Sequence, residues 1–155
     1  MIGIIIRGNP APQGSKKFVG MHGGHGVMVE SSKKVKPWRM DVKAAAQQVI
    51  EALHPDGGWK PLDGPLLVEM TFTLPKPASA PKKRRTWPCR KPDLSKLVRS
   101  TEDAFTDAGL WSDDARIVEL QVRKVYPNEG VDALDSPGAI VRVSEVAQAE
   151  LELAA

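Results

Sequence analysis

The stretch KPDLSKLVRSTEDAFTDAGLWSDDARIVELQVRK, residues 91–124, combines the sequence patterns of a helix, a turn and a strand. Its apolar residues recur every three or four positions, which is the spacing of an amphipathic helix. The predicted core-facing stripe consists of Leu94, Leu97, Val98, Thr101, Phe105 and Ala108. We therefore predict a helix that starts near Asp93 and ends at Gly109, followed by a strand over residues 117–125.

Strand patterns also occur on both sides of this stretch. Apolar and alternating runs predict strands over residues 1–7, 66–74 and 140–143, and the alternation predicts one buried face for the second of them. Residues 18–19 and 27–29 could pair as a hairpin around the glycine-rich sequence GMHGGHG.

A second long helix is predicted between the hairpin and the strand at residues 66–74. Apolar residues recur at helical spacing in WRMDVKAAAQQVIEAL, Pro37 fits the first turn, and the pattern stops at Leu53. Ser31 or Ser32 is the candidate N-cap. The tail after Glu145 could form a third helix on the surface.

Composition limits the architecture. The chain has 155 residues, of which 41% are hydrophobic and 26% charged, so we expect one domain over residues 1–155 with a buried core. Residues 75–92 are rich in proline and basic residues and predict an extended loop, and residues 146–155 form a C-terminal tail. The predicted fold class is α/β (α+β), with a mixed sheet packed against two main helices.

Apolar runs and cysteine content bear on the compartment. The longest apolar runs are far shorter than the roughly 20 residues that a membrane-spanning helix needs. No charged segment precedes the first apolar run and no small-residue cleavage site follows it, so we expect no signal peptide. Cys89 is the single cysteine, which excludes an internal disulfide and favours a reducing compartment. We expect a cytoplasmic protein with no membrane partner.

Positive charge is concentrated in the predicted loop. The net charge is +3, yet residues 76–91 contain seven basic residues and no acidic ones, which leaves −4 for the rest of the chain. The seven are Lys76, Lys82, Lys83, Arg84, Arg85, Arg90 and Lys91. Such a patch is typical of a surface that binds phosphate, and a solvated loop without a partner is the alternative. Trp87 within it could stack on a base or a sugar.

Carboxylates lie directly behind this basic loop. Asp93 occupies the predicted N-cap of the helix, and Asp113 and Asp114 precede the strand. Capping and turn formation would explain these positions without a ligand. Two adjacent like charges are costly, however, unless a cation neutralises them, and Mg²⁺ prefers carboxylate oxygens. A helix out and a strand back would allow both clusters to converge on one cation.

The polar side of the predicted helix carries further candidates. Ser95, Arg99 and Glu102 fall on this side, away from the apolar stripe. Asp103 follows Arg99 by four residues and could pair with it. A solvated helix face and a functional site are therefore both open for these residues.

The segments DLSKLVRSTEDAF and DAGLWSDDARIV resemble the RusA-type Holliday-junction resolvases, a family common in phages and prophages. Members typically show Asp-x-Asp at the start of a helix, a basic residue one turn later, and an Asp-Asp pair after a glycine-containing turn. The similarity has no gaps over residues 92–118, and a looser likeness that includes GNPAPQGSKK extends it to most of residues 1–127.

The resemblance implies a small Mg²⁺-dependent endonuclease, with Mn²⁺ as a substitute metal, that acts as a homodimer. Such enzymes resolve four-way DNA junctions in recombination and repair by paired symmetric nicks. By this resemblance, Asp93 and Asp114 bind the metal, with Asp113 beside them. Arg99 stands where the family usually has a functional lysine, and it would meet the scissile phosphate together with Lys96. The residues expected to contact DNA are Lys82, Lys83, Arg84, Arg85, Arg90, Lys91 and Lys96.

Ser95 departs from the family pattern because it replaces the second aspartate of Asp-x-Asp. A serine hydroxyl is a weaker ligand for Mg²⁺ than a carboxylate. The hypothesis is that Glu102, whose long side chain would point back toward the helix N-terminus, or a water held by Ser95 completes the catalytic site. The alternative is a catalytically weak or inactive protein that binds branched DNA. A third possibility is an RNA-binding or protein-interaction module whose carboxylates form only salt bridges.

Overall fold

A computed structural model describes residues 1–14, 16–30 and 33–147, and within these ranges the chain forms six strands and two α-helices. In chain order they are β1 (Ile2–Arg7), β2 (Lys16–His22), β3 (His25–Glu30), α1 (Val35–Leu53), β4 (Leu66–Thr73), α2 (Leu94–Ala108), β5 (Ile117–Val125) and β6 (Gly138–Glu145). A single 3₁₀ turn at Asp114–Arg116 precedes β5.

Four of the strands form one mixed sheet in the order β1-β6-β4-β5. Strands β4 and β5 are parallel, whereas β6 is antiparallel to both β1 and β4. Parallel neighbours need a crossover connection, and α2 lies in the connection between β4 and β5. Strands β2 and β3 form a separate two-stranded hairpin. The predicted class, a single small α+β domain with a mixed sheet and two main helices, is confirmed.

Strand β4 supplies the centre of the core. Its residues Val68, Met70 and Phe72 are almost fully buried. Trp38 of α1 packs against Phe72 with ring centroids 6.4 Å apart, and its indole N–H donates a 3.0 Å hydrogen bond to Thr101 of α2. Both helices therefore contribute to one apolar core with β4, and the hydrogen bond satisfies a polar group that would be costly to bury alone.

The opposite face of β4 is buried at one end, which the sequence pattern did not predict. Thr71 and Thr73 are both buried. The backbone N–H of Leu134, in the loop between β5 and β6, donates a 2.9 Å hydrogen bond to Thr73 Oγ1. That loop covers this part of the sheet, so the prediction of a single buried face is correct only for the first half of β4.

The predicted elements agree closely with the observed ones. The strands expected at residues 1–7 and 117–125 are confirmed, and the one expected at residues 140–143 is longer, since β6 covers Gly138–Glu145. The hairpin is confirmed, with its turn at Gly23 and Gly24.

The helices are confirmed as well. Helix α1 has Pro37 in its first turn and ends at Leu53, and α2 ends at Gly109, whose φ of 74° is the left-handed conformation that glycine adopts readily. No described helix is long and apolar enough to cross a membrane.

Several expectations are not tested. Ser31, Ser32 and residues 148–155, where a cap and a third helix were expected, lie outside the described residues. The domain bounds 1–155 and the tail at 146–155 stay predictions. Residues 75–92 contain neither helix nor strand, as an extended loop requires.

Candidate active site

Asp93 occupies the N-cap of α2 without capping it through its side chain. Its backbone is extended, and its carbonyl accepts hydrogen bonds from the N–H groups of Lys96 and Leu97 at 3.2 and 3.1 Å. The carboxylate makes no capping hydrogen bond, is 54% exposed, and lies 4.0 Å from the Lys96 ammonium. Capping therefore does not explain this side chain, and its oxygens are open to a ligand.

Asp93 is one of the residues that line a cleft of about 1040 Å³ between the loop after β1, the start of α1 and the loop before α2. Most of the charged lining is cationic. The basic lining residues are Lys33, Lys34, Arg90, Lys91 and Lys96. Asp41 and Asp93 are the acidic ones. A concave surface lined by one sign of charge attracts ligands of the opposite sign, so this cleft suits a polyanion.

The N-terminal wall of the cleft is attached directly to α2. Gln13 N–H donates a 2.9 Å hydrogen bond to the Lys96 carbonyl, and the buried hydroxyl of Ser100 donates a 2.6 Å bond to the Ala11 carbonyl. The stretch GNPAPQG forms this wall of the cleft, which the sequence did not indicate. Its many turn-forming residues, which suit a loop that curves back over a helix, were the available signal.

Asp41 of α1 is a second acidic residue of the cleft that the sequence did not reveal. Its carboxylate packs directly on Gly8, where an added Cβ would lie 2.2 Å from Asp41 Oδ2. Gly8 also has a φ of 144°, so both the contact and the backbone require glycine. Asp41 occupies an ordinary polar position of a helical pattern, and nothing in the sequence distinguishes it.

Lys124, near the end of β5, holds the segment that leads into Asp93. Its ammonium donates hydrogen bonds of 2.8 and 2.9 Å to the carbonyls of Arg90 and Pro92. This contact ties the basic loop to the sheet. It also shows that Asp93 lies beside the C-terminal end of β5.

The C-terminal half of α2, together with the 3₁₀ turn that follows it, gathers negative charge. Glu102 is half-buried, and its pKa is raised to about 7, first by burial and then by the charges of Asp114 and Asp103, while Arg99 acts in the opposite direction. Asp113 accepts a 2.7 Å hydrogen bond from Ala115 N–H, so it caps the 3₁₀ turn.

Asp103 is engaged with α1 rather than with its own helix. Its carboxylate lies 4.0 Å from the guanidinium of Arg39, which also forms a 2.7 Å ion pair with Asp107. The suggested pairing of Asp103 with Arg99 is therefore replaced by this connection between α1 and α2.

The structure brings Glu102 and Asp114 together but not Asp93. Glu102 follows Asp93 along α2 by about 13 Å at 1.5 Å per residue. Strand β5 starts after Asp114 and reaches Lys124, which contacts the segment before Asp93, and this strand is more than 20 Å long at about 3.3 Å per residue. Across residues 1–14, 16–30 and 33–147, no three Asp, Glu, His or Cys side chains gather as ligands of one metal ion. The metal-binding role of Asp93, Asp113 and Asp114 stays a prediction.

The chemistry of these groups nevertheless fits a hard divalent cation. Carboxylate oxygens are the ligands that Mg²⁺ prefers. At Glu102, burial and two neighbouring aspartates make the ionised form costly, and a bound cation would relieve that cost. The donor type fits, while a full ligand set would need groups from elsewhere.

The basic loop is exposed but anchored. Lys82, Lys83, Arg84 and Arg85 all lie on the surface. Glu129 anchors the loop because it pairs with the Lys76 ammonium and accepts a 3.2 Å hydrogen bond from Thr86 N–H. The bond from Lys76 lowers the pKa of Glu129.

The family model described as Endodeoxyribonuclease RusA matches residues 7–132, which contain both acidic clusters and the basic loop. The chain belongs to the RusA family. No curated protein matches the chain. Membership indicates endodeoxyribonuclease activity of the Holliday-junction resolvase type, and it makes branched DNA the expected partner. RusA resolvases generally depend on a divalent metal.

Proposed function

We propose that this RusA protein is a divalent-metal-dependent endonuclease that makes paired symmetric nicks in four-way or related branched DNA. The observation that carries the proposal is the exposed, non-capping carboxylate of Asp93 at a cationic cleft. A cleft that attracts phosphate and holds a metal ligand beside it is what hydrolysis of a phosphodiester requires. We expect Mg²⁺ or Mn²⁺ as the metal, the cytoplasm as the compartment, and a phage or prophage origin.

We propose separate roles in hydrolysis for the acidic and basic residues of the site. A bound divalent cation would acidify a water and neutralise phosphoryl charge. Asp93 and Asp114 are the proposed ligands, with Asp113 and Glu102 beside Asp114. The guanidinium of Arg99 would orient the scissile phosphate, because its planar donors match phosphate oxygens.

DNA binding is proposed for the basic residues around the cleft and on the loop. Phosphate contacts of this kind fix the position of the duplex arms without reading sequence. The proposed contacts are Lys82, Lys83, Arg84, Arg85, Arg90, Lys91 and Lys96.

We infer a homodimer from the separation of the two carboxylate groups. Strand β5 is an edge of the sheet that the described residues form, in which β4 is its one neighbour. Its residues Val118 and Leu120 are 60% and 43% exposed. A long edge strand with exposed apolar residues is a template for pairing with another chain. We propose that this second chain is another copy of the same protein.

Antiparallel pairing of two β5 strands would complete the site. Asp114 precedes the start of β5 and Asp93 lies beside its end, so a two-fold axis near Gln121 would bring Asp93 of one copy toward Asp114 of the other. Such a dimer has two equivalent sites, as two symmetric nicks require.

Complementation tests this arrangement. Asp93→Asn and Asp114→Asn are each expected to lack junction cleavage in Mg²⁺. Mixed dimers of the two variants would contain one site with both substitutions and one intact site. We expect the mixture to regain nicking of one strand per junction. If each copy carried its own complete site, mixing would restore nothing.

A non-catalytic junction-binding protein is the competing function. Two observations favour it: Ser95 stands in place of a carboxylate, and three ligands do not gather among the described residues of one copy. Incubating the protein with a synthetic four-way junction, with and without Mg²⁺, separates the two functions. Metal-dependent symmetric nicks support the nuclease and binding without nicks supports the alternative, whereas absence of any preference for the junction contradicts both.

A further inference from the structure

Trp87 is a large aromatic side chain held in solvent by the basic loop. It is 57% exposed, whereas Trp38 and Trp111 are buried in the core. The guanidinium carbon of Arg85 lies 4.1 Å from the centroid of the Trp87 ring. Arg85 in turn lies against Gly130, where an added Cβ would be 3.2 Å from Arg85 Nη2. One face of the ring is therefore backed by two layers, and the exposed remainder faces solvent.

The backbone on both sides of Trp87 is fixed. On the N-terminal side, Glu129 accepts a hydrogen bond from Thr86 N–H and pairs with Lys76. On the C-terminal side, Lys124 binds the carbonyls of Arg90 and Pro92. An aromatic side chain on a loop anchored at both ends loses little conformational freedom when it binds a ligand, which favours binding.

The surroundings of Trp87 identify the chemistry of its ligand. Basic side chains precede it on the loop, and Pro88, Arg90 and Lys91 after it line the cleft of Asp93. An aromatic ring next to cations that follow a polyanion is the arrangement that stacks on nucleic-acid bases. A continuous duplex offers no open base face, whereas a branch point interrupts the stack and exposes base pairs at the ends of its arms.

We propose that Trp87, backed by Arg85, is a stacking platform for a base exposed at the centre of branched DNA. The inference rests on the proposed function and deepens it, because it assigns the preference for a branch over a duplex to one residue. The basic side chains bind the DNA arms and do not distinguish a branch from a duplex, while the Trp87 ring contacts a base face that only a branch exposes.

The test compares Trp87→Ala with Trp87→Phe on two DNAs, a four-way junction carrying 2-aminopurine next to the crossover and a duplex of the same sequence. If the ring stacks on a base, Trp87→Ala should lower junction affinity by about 10-fold or more and leave duplex affinity unchanged. Trp87→Phe should recover part of the lost junction affinity. The 2-aminopurine fluorescence should change on binding of the unsubstituted protein and of Trp87→Phe but not of Trp87→Ala. Leu53→Ala, another exposed apolar residue at the end of α1, is the matched control and should bind normally.

A second variant weakens the anchoring of the loop without replacing Trp87. Glu129→Gln removes the ion pair with Lys76 that anchors the loop, and it should reduce the 2-aminopurine signal without changing the salt dependence of binding. Equal losses on junction and duplex, or an unchanged junction affinity in Trp87→Ala, would overturn the platform while leaving the nuclease proposal intact. No junction preference in the unsubstituted protein would remove both.

Discussion

The N-cap and the C-terminal half of helix α2 carry carboxylates in opposite surroundings. At the N-terminal end, Asp93 is exposed and lies at a cleft lined mainly by lysines and arginines. Toward the C-terminal end, Glu102 is half-buried next to Asp103 and Asp114, and its pKa is raised to about 7. One end is suited to attract a polyanion, and the other accumulates negative charge that a cation would neutralise.

The side chains suited to attract DNA and those suited to bind a metal are therefore separated within one chain. Hydrolysis needs both at the same phosphate. A helix cannot bring its own ends together, because its axis has a fixed rise per residue. The separation therefore favours a site completed by a second copy of the chain.

The largest expected effect is on catalysis at the N-terminal end. Asp93→Asn should lower Mg²⁺-dependent junction cleavage by about 100-fold or more, since loss of a metal ligand removes several kcal/mol of transition-state stabilisation. Junction affinity should not fall, because the substitution removes a negative charge from a cationic cleft. Single-turnover cleavage and a binding titration in Ca²⁺ measure the two quantities. Reduced affinity with normal cleavage would show that Asp93 acts in binding instead.

The next effect concerns the cations of the loop. Replacing Lys82, Lys83 and Arg84 by glutamine should flatten the dependence of log affinity on log salt by about two to three units, at roughly 0.9 per phosphate contact. Arg85 is left in place because it also backs Trp87. Cleavage at saturating protein should stay unchanged, and an unaltered salt slope would remove these residues from the interface.

At the acidic end, Glu102→Gln should change the pH dependence of stability. Burial and like charges raise the Glu102 pKa from 4.5 to about 7 in the folded chain, so the folded state binds this proton more tightly. The stabilisation of the folded state by protonated Glu102 is fully present below about pH 4.5 and is lost as pH rises through 7. Above pH 7, Glu102→Gln should be more stable than the original chain by about 1–2 kcal/mol, since water screens part of the cost at a half-buried site.

Urea unfolding at pH 4 and pH 8 checks this, and the two proteins should differ little at the lower pH. Equal stability at both pH values would mean that Glu102 is well solvated. Glu102→Gln also tests the hypothesis that this residue completes the metal site, because unchanged Mg²⁺-dependent cleavage would contradict it.

The smallest effect compares the two helix caps. Gly109→Ala should destabilise the chain by about 1 kcal/mol because it forces a residue with a Cβ into a φ of 74°. Asp93→Ala should cost less than about 0.5 kcal/mol, because its side chain makes no capping hydrogen bond. Thermal unfolding of both variants measures the difference. A larger loss for Asp93→Ala would restore capping as its role.

Elements were predictable from the sequence because their signals are local. The stripe from Leu94 to Phe105 defines α2, Gly109 defines its end, and the apolar run after Asp114 defines β5. The relative position of the Asp93 and Asp114 clusters could not be predicted in the same way. Their distance depends on how β5 is oriented relative to α2, and the number of residues between the clusters does not reveal that orientation.

Residues that act through long-range contacts were missed for the same reason. Asp41 lines the cleft from α1, Lys124 holds the segment before Asp93 from the far end of β5, and Glu129 anchors the basic loop from the loop that follows β5. Each is an ordinary charged residue in its local pattern. Only the packing of the sheet against the two helices gives these residues their neighbours.

The bonds from Gln13 to Lys96 and from Ser100 to Ala11 have a mechanical consequence. They attach the N-terminal wall of the cleft to the same helix that carries Asp93, so this wall cannot move away from α2 without breaking both hydrogen bonds, of which the one from Ser100 is buried. Any shape mismatch must then be absorbed by the nucleic acid. Continuous duplex resists bending over lengths of about 50 nm, whereas a crossover bends at almost no elastic cost. A rigid cleft of this kind would favour DNA substrates that bend easily.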